Sequence, residues 1–186
     1  MREPILLLVL LSAWLFPSIC YAGPFGLEAG MSRAEVVQRI GKSSIVKEYP
    51  DSVFFNSAPQ RSKYFDEYQC GFDHNDKLAS IRASSATLAT KESGEDLRGE
   101  FDDLRSALID KYGKALYVVG GRTSEVKWDD SVGNNSPFME SVWDGSGDLG
   151  KSLHISKIDL KIIAWDKTHG FIELNYQFNT SIKDPL

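Results

Sequence analysis

Apolar positions along this chain follow two periods, one of three to four residues and one of two. The first period appears early. Val36, Val37 and Ile40 form a stripe within 26–42, and Ser32 and Glu35 stand three apart in front of it. That spacing is a capping box, in which each side chain can satisfy the other residue's free backbone N–H. Met31 and Val36 occupy the positions of a hydrophobic staple, and Gly41 closes the segment. A short helix is predicted there. A second, longer helix is predicted over 94–112, where Leu97, Phe101, Leu104, Leu108 and Tyr112 recur at helical spacing. Glu95 and Asp96 at its start and Lys111 near its end suit the helix dipole, and Gly113 follows.

The two-residue period fills most of the remainder. Ile45–Val46 and Val53–Phe55 are apolar clusters separated by the breaker Pro50-Asp51, and 57–62 reads as loop. The runs 63–72 and 77–84 flank Asp73-His74-Asn75-Asp76, which predicts a β-hairpin with an Asn/Asp turn. Further strands are predicted near 124–129, 138–143, 153–165 and 170–178, with Asp166–Gly170 as the turn between the last two. In the final strand Phe171, Glu173 and Asn175 alternate with Ile172, Leu174 and Tyr176. The fold class is therefore α+β, with helices packed on an antiparallel β-sheet. A faint repeat, Val36–Lys42 against Leu108–Lys114, ends each predicted helix. It is open to two readings: helix C-termini resemble one another, or two helix-then-sheet units stand in tandem. The units would be 23–90 and 91–186, or one continuous domain.

The first residues belong to a different category. Arg2, an uncharged apolar run over 5–16, Pro17 and the exit Cys20-Tyr21-Ala22 read as a secretory signal peptide over 1–22, cleaved before Gly23. The run is too short to span a hydrocarbon core of ~30 Å as a helix. A lipid anchor at Cys20 is disfavoured, because Ile19 stands where a small residue is wanted. No later segment is apolar enough to cross a membrane. The expected location is periplasmic or secreted.

Charge then narrows the partners. The 186-residue chain carries a net charge of −5, and removal of Arg2 with Glu3 leaves it unchanged. A nucleic-acid partner calls for a basic face and is not expected. Cys70 would be the one cysteine left after processing, so no internal disulfide is expected; within its strand-like context it reads as a buried thiol.

Candidate chemistry is sparse. Gly145–Ser152, GSGDLGKS, satisfies the phosphate-loop pattern G-x-x-x-x-G-K-[ST]. A working phosphate loop opens a helix, whereas the segment that follows alternates as a strand, and Asp148 places a carboxylate in the loop. The match is read as a decoy within a hairpin connection, with Lys151 at its rim. Asp144, Ser146 and Asp148 resemble the start of a calcium loop but lack its Gly and Glu at positions six and twelve. His74, His154 and His169 are far apart and show no metal-ligand spacing. No catalytic, cofactor or metal residues are assigned. Trp-Asp occurs at Trp128, Trp143 and Trp165, gaps of 15 and 22 residues, which excludes a propeller repeat of about 40–45. These tryptophans read as strand ends, with partner contact as the functional alternative.

The stretch Gly26–Gly41 resembles the opening motif of small exported bacterial proteins of the SmpA/OmlA (BamE-like) and β-lactamase-inhibitor-like fold families. The matching positions are Leu27, Gly30, Met31, Ser32, Glu35, Val36, Ile40 and Gly41. The resemblance implies a short helical segment set against a small antiparallel sheet, arranged twice in the inhibitor-like fold. It also implies a scaffold for protein contacts and offers no catalytic residues. The expectation is an exported, non-enzymatic binding protein of the bacterial envelope with a protein partner. An inhibitor of a secreted hydrolase, or an enzyme whose site is not visible in sequence, are the alternatives.

Overall fold

A computed structural model describes residues 23–91, 94–119, 128–132 and 137–180. The signal-peptide reading over 1–22, the strand expected over 124–127 and the tail beyond 180 lie outside them.

Helix α1 (Arg33–Ile40) begins as its sequence dictates. The Ser32 backbone N–H donates to Glu35 Oε2 at 2.7 Å, and the Glu35 N–H returns to Ser32 Oγ at 3.4 Å. Val36 and Ile40 face the core, each burial worth about 1.5–3 kcal/mol. Strands β1 (Ile45–Tyr49), β2 (Ser52–Phe55), β3 (Glu67–Phe72) and β4 (Leu78–Ser84) then form an antiparallel meander. The expected hairpin at Asp73–Asp76 joins β3 to β4; Asp73 Oδ1 accepts from the N–H groups of Asn75 and Lys77. The short β5 (Leu88–Ala89) follows.

Helix α2 (Glu95–Tyr112) turns Leu97, Phe101, Leu104 and Leu108 inward and packs on the two longest strands. These belong to a second meander: β6 (Tyr117–Val119), β7 (Met139–Asp144), β8 (Ile155–Ala164) and β9 (His169–Phe178). One-turn helices α3 (Trp128–Ser131) and α4 (Asp148–Ser152) precede β7 and β8.

Strand order across the sheet is β1-β2-β3-β4-β9-β8-β7-β6, with β5 also on β9. Each half thus contains a helix and a four-strand meander, and the last strands of the two meanders, β4 and β9, pair with each other. Ser80–Ser84 lie opposite Gln177–Glu173 in that junction. The boundary expected near residue 90 falls between β5 and α2, but one sheet and one hydrophobic cluster run across it. A core rung shows this directly: Val53, Cys70, Ile81, Tyr176, Ile158 and Trp143 are successive cross-strand partners from β2 to β7.

One expected strand end differs. Trp128 and Asp129, expected as a strand end, begin the helical turn α3. Tertiary packing decides this: the Trp128 ring meets Phe138 edge-on at 5.1 Å, and its Nε1–H donates to the Asp166 carbonyl at 2.8 Å. A strand conformation would have to give up that seat.

Candidate recognition surface on the open sheet face

Because side chains alternate across a sheet, the residues between the core positions share the opposite face. There a second rung crosses all eight strands of the main path. Lys47, Phe54, Gln69, Arg82, Asn175, Asp159, Val142 and Tyr117 are successive partners from β1 to β6. Beside it runs Glu67, Ser84, Glu173, Lys161, Glu140 and Val119.

Most charges on this face are arranged in pairs. Arg82 Nε lies 3.5 Å from Glu173 Oε2 and donates to Asn175 Oδ1 at 3.3 Å. Asn175 Nδ2 donates to Glu173 Oε1 at 2.7 Å. Lys161 Nζ lies 3.3 Å from Glu140 Oε1, whose other oxygen accepts from the Tyr117 hydroxyl at 3.1 Å. Lys157 Nζ sits 2.8 Å from Asp159 Oδ1. Asp159 is only 4% exposed, and its hydrogen bond raises the Lys157 ammonium pKa above the ordinary lysine value. These pairs leave the face polar and close to neutral, and each is worth little by itself. They hold long side chains in fixed positions, which lowers the entropy a partner must remove on docking.

At the end of the face nearest the β8–β9 turn the sheet carries a recess of about 380 Å³. Phe54, Glu67, Arg82, Phe171, Glu173 and Trp165 are among its lining residues. Trp165 is 68% exposed. It continues the face of Ile163, and its backbone N–H donates to the His169 carbonyl at 2.9 Å. The turn below is pinned by Asp166, whose Oδ1 accepts from the Thr168 N–H at 2.7 Å. That bond, with His169 Nδ1 at 3.0 Å, holds the Asp166 carboxyl below its usual range. An exposed indole is therefore carried on a rigid turn.

No family model, curated protein or solved structure matches this chain significantly.

Of the three tryptophans considered for partner contact, the structure leaves Trp165 at the surface and places the other two in the core. Trp128 is 2% exposed and Trp143 is 1% exposed. Trp143 Nε1–H donates to the Gly113 carbonyl at 2.8 Å, just past the end of α2. Both are structural, because an indole with its N–H satisfied inside the core has nothing left to offer a partner.

The phosphate-loop spelling has a packing origin. A Cβ on Gly145 would fall 1.6 Å from the Ile155 carbonyl oxygen, and one on Gly150 would meet the Gly145 backbone at 2.7 Å. The two glycines let the loop fold onto itself. The Gly145 N–H goes to the Ser156 carbonyl at 3.0 Å and the Lys151 N–H to that of Gly147 at 2.9 Å, so these amides are already used. The connection contains α4, one turn more structure than the hairpin loop expected, and β8 follows from Ile155. Asp144 Oδ1 accepts from the Ser146 hydroxyl at 2.6 Å, within the turn. Among the described residues no three His, Cys, Asp or Glu side chains come together as a metal site.

The histidines do not converge. The His154 carbonyl receives the Asn179 N–H beyond the C-terminal end of β9, whereas His169 begins that strand. The ten residues of β9 separate them, a distance of about 33 Å at ~3.3 Å per residue. His74 lies in the β3–β4 turn.

Sequence reasoning missed Glu67, Arg82 and the recess. The alternation of Phe171, Glu173 and Asn175 marked an outward face on β9, but the neighbours of β9 were not readable from it.

Proposed function

We propose that this chain is an exported, non-enzymatic binding protein of the bacterial envelope that recognises a protein partner through the open sheet face. One observation carries the reading: Trp165, 68% exposed, stands at the rim of a recess on a face where most charged side chains are already paired. Exposed aromatic anchors beside a pocket supply much of the energy at protein interfaces. The location rests on the leader-like segment ending at Ala22 and on the resemblance of Gly26–Gly41 to small exported proteins.

The test has two parts. N-terminal sequencing of the chain recovered from the envelope should begin at Gly23; recovery of an intact Met1 terminus in the cytoplasm would remove the envelope from the proposal. Affinity capture from envelope extract should return a partner that Trp165→Ala loses and Val46→Ala keeps. Val46 is equally exposed, at 68%, on the far strand β1. Identical captures for all three chains would refute the role of this face.

Inhibition of a secreted hydrolase is the second reading. It is favoured by the two helix-led meanders sharing one sheet, the doubled arrangement that the inhibitor-like resemblance implies. Panels of secreted hydrolases assayed with and without the chain would decide it.

A further inference from the structure

On the reading that the open face is the recognition surface, we propose that the Trp165 recess is a seat for a cationic side chain, an arginine presented by a protein partner. Glu173 is occupied by Arg82 and Asn175, Glu140 by Lys161 and Tyr117, and Asp159 by Lys157. Glu67 is exposed and its carboxylate, among the described residues, has no hydrogen bond or ion pair. With Arg82 and Glu173 cancelling, the recess keeps one negative charge, on Glu67.

Shape and chemistry agree with that charge. Glu67, Ser84 and Glu173 are successive cross-strand partners, so a small residue separates the two carboxylates. Neighbouring Cβ atoms on such a rung are about 4.5–5.5 Å apart, which leaves a gap above Ser84 of the width of a side chain. Phe54 stands on one side of the recess, and Phe171 and Trp165 on the other. A guanidinium is planar, stacks on an indole face and pairs with a carboxylate through parallel N–H groups. Trp165 and Glu67 offer both partners. An acidic side chain would meet two carboxylates, Glu67 and Glu173, against the single lining cation Arg82, whose Nε already lies against Glu173. A purely apolar side chain would fill the recess but leave the Glu67 charge unanswered. The chain's net charge of −5 also draws a basic partner segment toward it.

The experiment is a titration of the ¹⁵N-labelled purified chain followed by NMR, with N-acetyl-arginine amide as probe. N-acetyl-norleucine amide serves as the apolar control and N-acetyl-glutamate amide as the acidic one. The expected result is a saturable shift of the Trp165 Nε1–H signal and the Glu67 and Ser84 amides with the arginine compound. Glu67→Gln should weaken binding about two- to fivefold, the range of an exposed ion pair, and added salt should weaken wild type toward that level. Trp165→Ala should remove the response. Both positions are exposed, so melting curves of the variants should overlay wild type. Equal shifts with the norleucine compound, shifts centred elsewhere, or no shift at all would overturn the proposal. The broader reading is separable: a partner lost on Trp165→Ala from a chain that ignores the arginine probe keeps the recognition face and removes the cation seat.

Discussion

Gly170 lies directly beneath the Trp128 ring: a Cβ there would sit 2.6 Å from Trp128 Cη2, and also 2.7 Å from the Ile163 carbonyl oxygen. A Cβ on Gly94 would likewise come within 2.7 Å of Trp128 Cε3, and Gly94 holds φ at +63°. One of the two largest fully buried side chains among the described residues is therefore seated on bare backbone contributed by β9 and by the start of α2. This contact ties the second helix to the strand at the centre of the sheet.

Gly170→Ala should destabilise the chain by about 1–3 kcal/mol, because the ring cannot move away from a rigid core. Gly99→Ala is the matched control. Gly99 lies in α2 with nothing within 4 Å of its Cβ position, so the change should be neutral or add up to about 1 kcal/mol of helix stability. Urea denaturation of both variants tests the pair, and equal midpoints would sink the argument.

This socket also explains what the sequence did and did not disclose. Both main helices were legible because their signals are local: the Ser32–Glu35 box and the Leu97–Leu108 stripe depend on neighbours three and four residues away. The β3–β4 and β8–β9 hairpins were legible for the same reason. Trp128 was misplaced because its environment is assembled from Gly94, Phe138 and Gly170, distant in sequence. The recess was hidden likewise. Glu173 joins Glu67 and Arg82 only through the β4–β9 junction, which joins residues 93 apart at Arg82 and Asn175.

Trp165 should report on the open face without interference from the core tryptophans. In a Trp14→Phe chain, three tryptophans remain. Acrylamide should quench a single accessible class, contributed by the 68%-exposed Trp165. Trp165→Phe should abolish that class and leave a blue-shifted spectrum from Trp128 and Trp143. Persistent quenching in the variant would mean that a core indole is reachable.

Arg33 joins two turns to the first helix. Its Nε lies 2.8 Å from Asp76 Oδ1, its two terminal nitrogens donate to the Tyr49 and Pro50 carbonyls, and the guanidinium sits 4.3 Å from the Phe72 ring centroid. It fastens α1 to the β1–β2 and β3–β4 connections. Arg33→Ala should cost about 1–3 kcal/mol, since charged hydrogen bonds and stem packing are lost together. Arg33→Lys should recover only part of this, because an ammonium cannot reproduce the fork. Full recovery by lysine would show that charge alone matters there.

Tyr112, half-buried, and Tyr176, buried, should contribute to the alkaline limit of stability. Burial raises the Tyr112 phenol from 10.0 to about 12, and Tyr176 is pushed well above its ordinary value by burial and by Tyr112 beside it. Their rings lie 6.2 Å apart. A raised pKa means that the folded chain keeps a proton the unfolded chain has already released. The stabilising contribution is therefore full below pH 10 and is lost as pH rises through about 12. Wild-type urea midpoints should hold steady up to pH 10 and then fall steeply. Tyr112→Phe removes one titrating group while keeping the ring, so its midpoint should fall less steeply over the same window. Lysines titrate there too, but they are common to both chains, so the difference between the curves isolates the phenol. Parallel curves for wild type and Tyr112→Phe would show that this tyrosine does not set the limit.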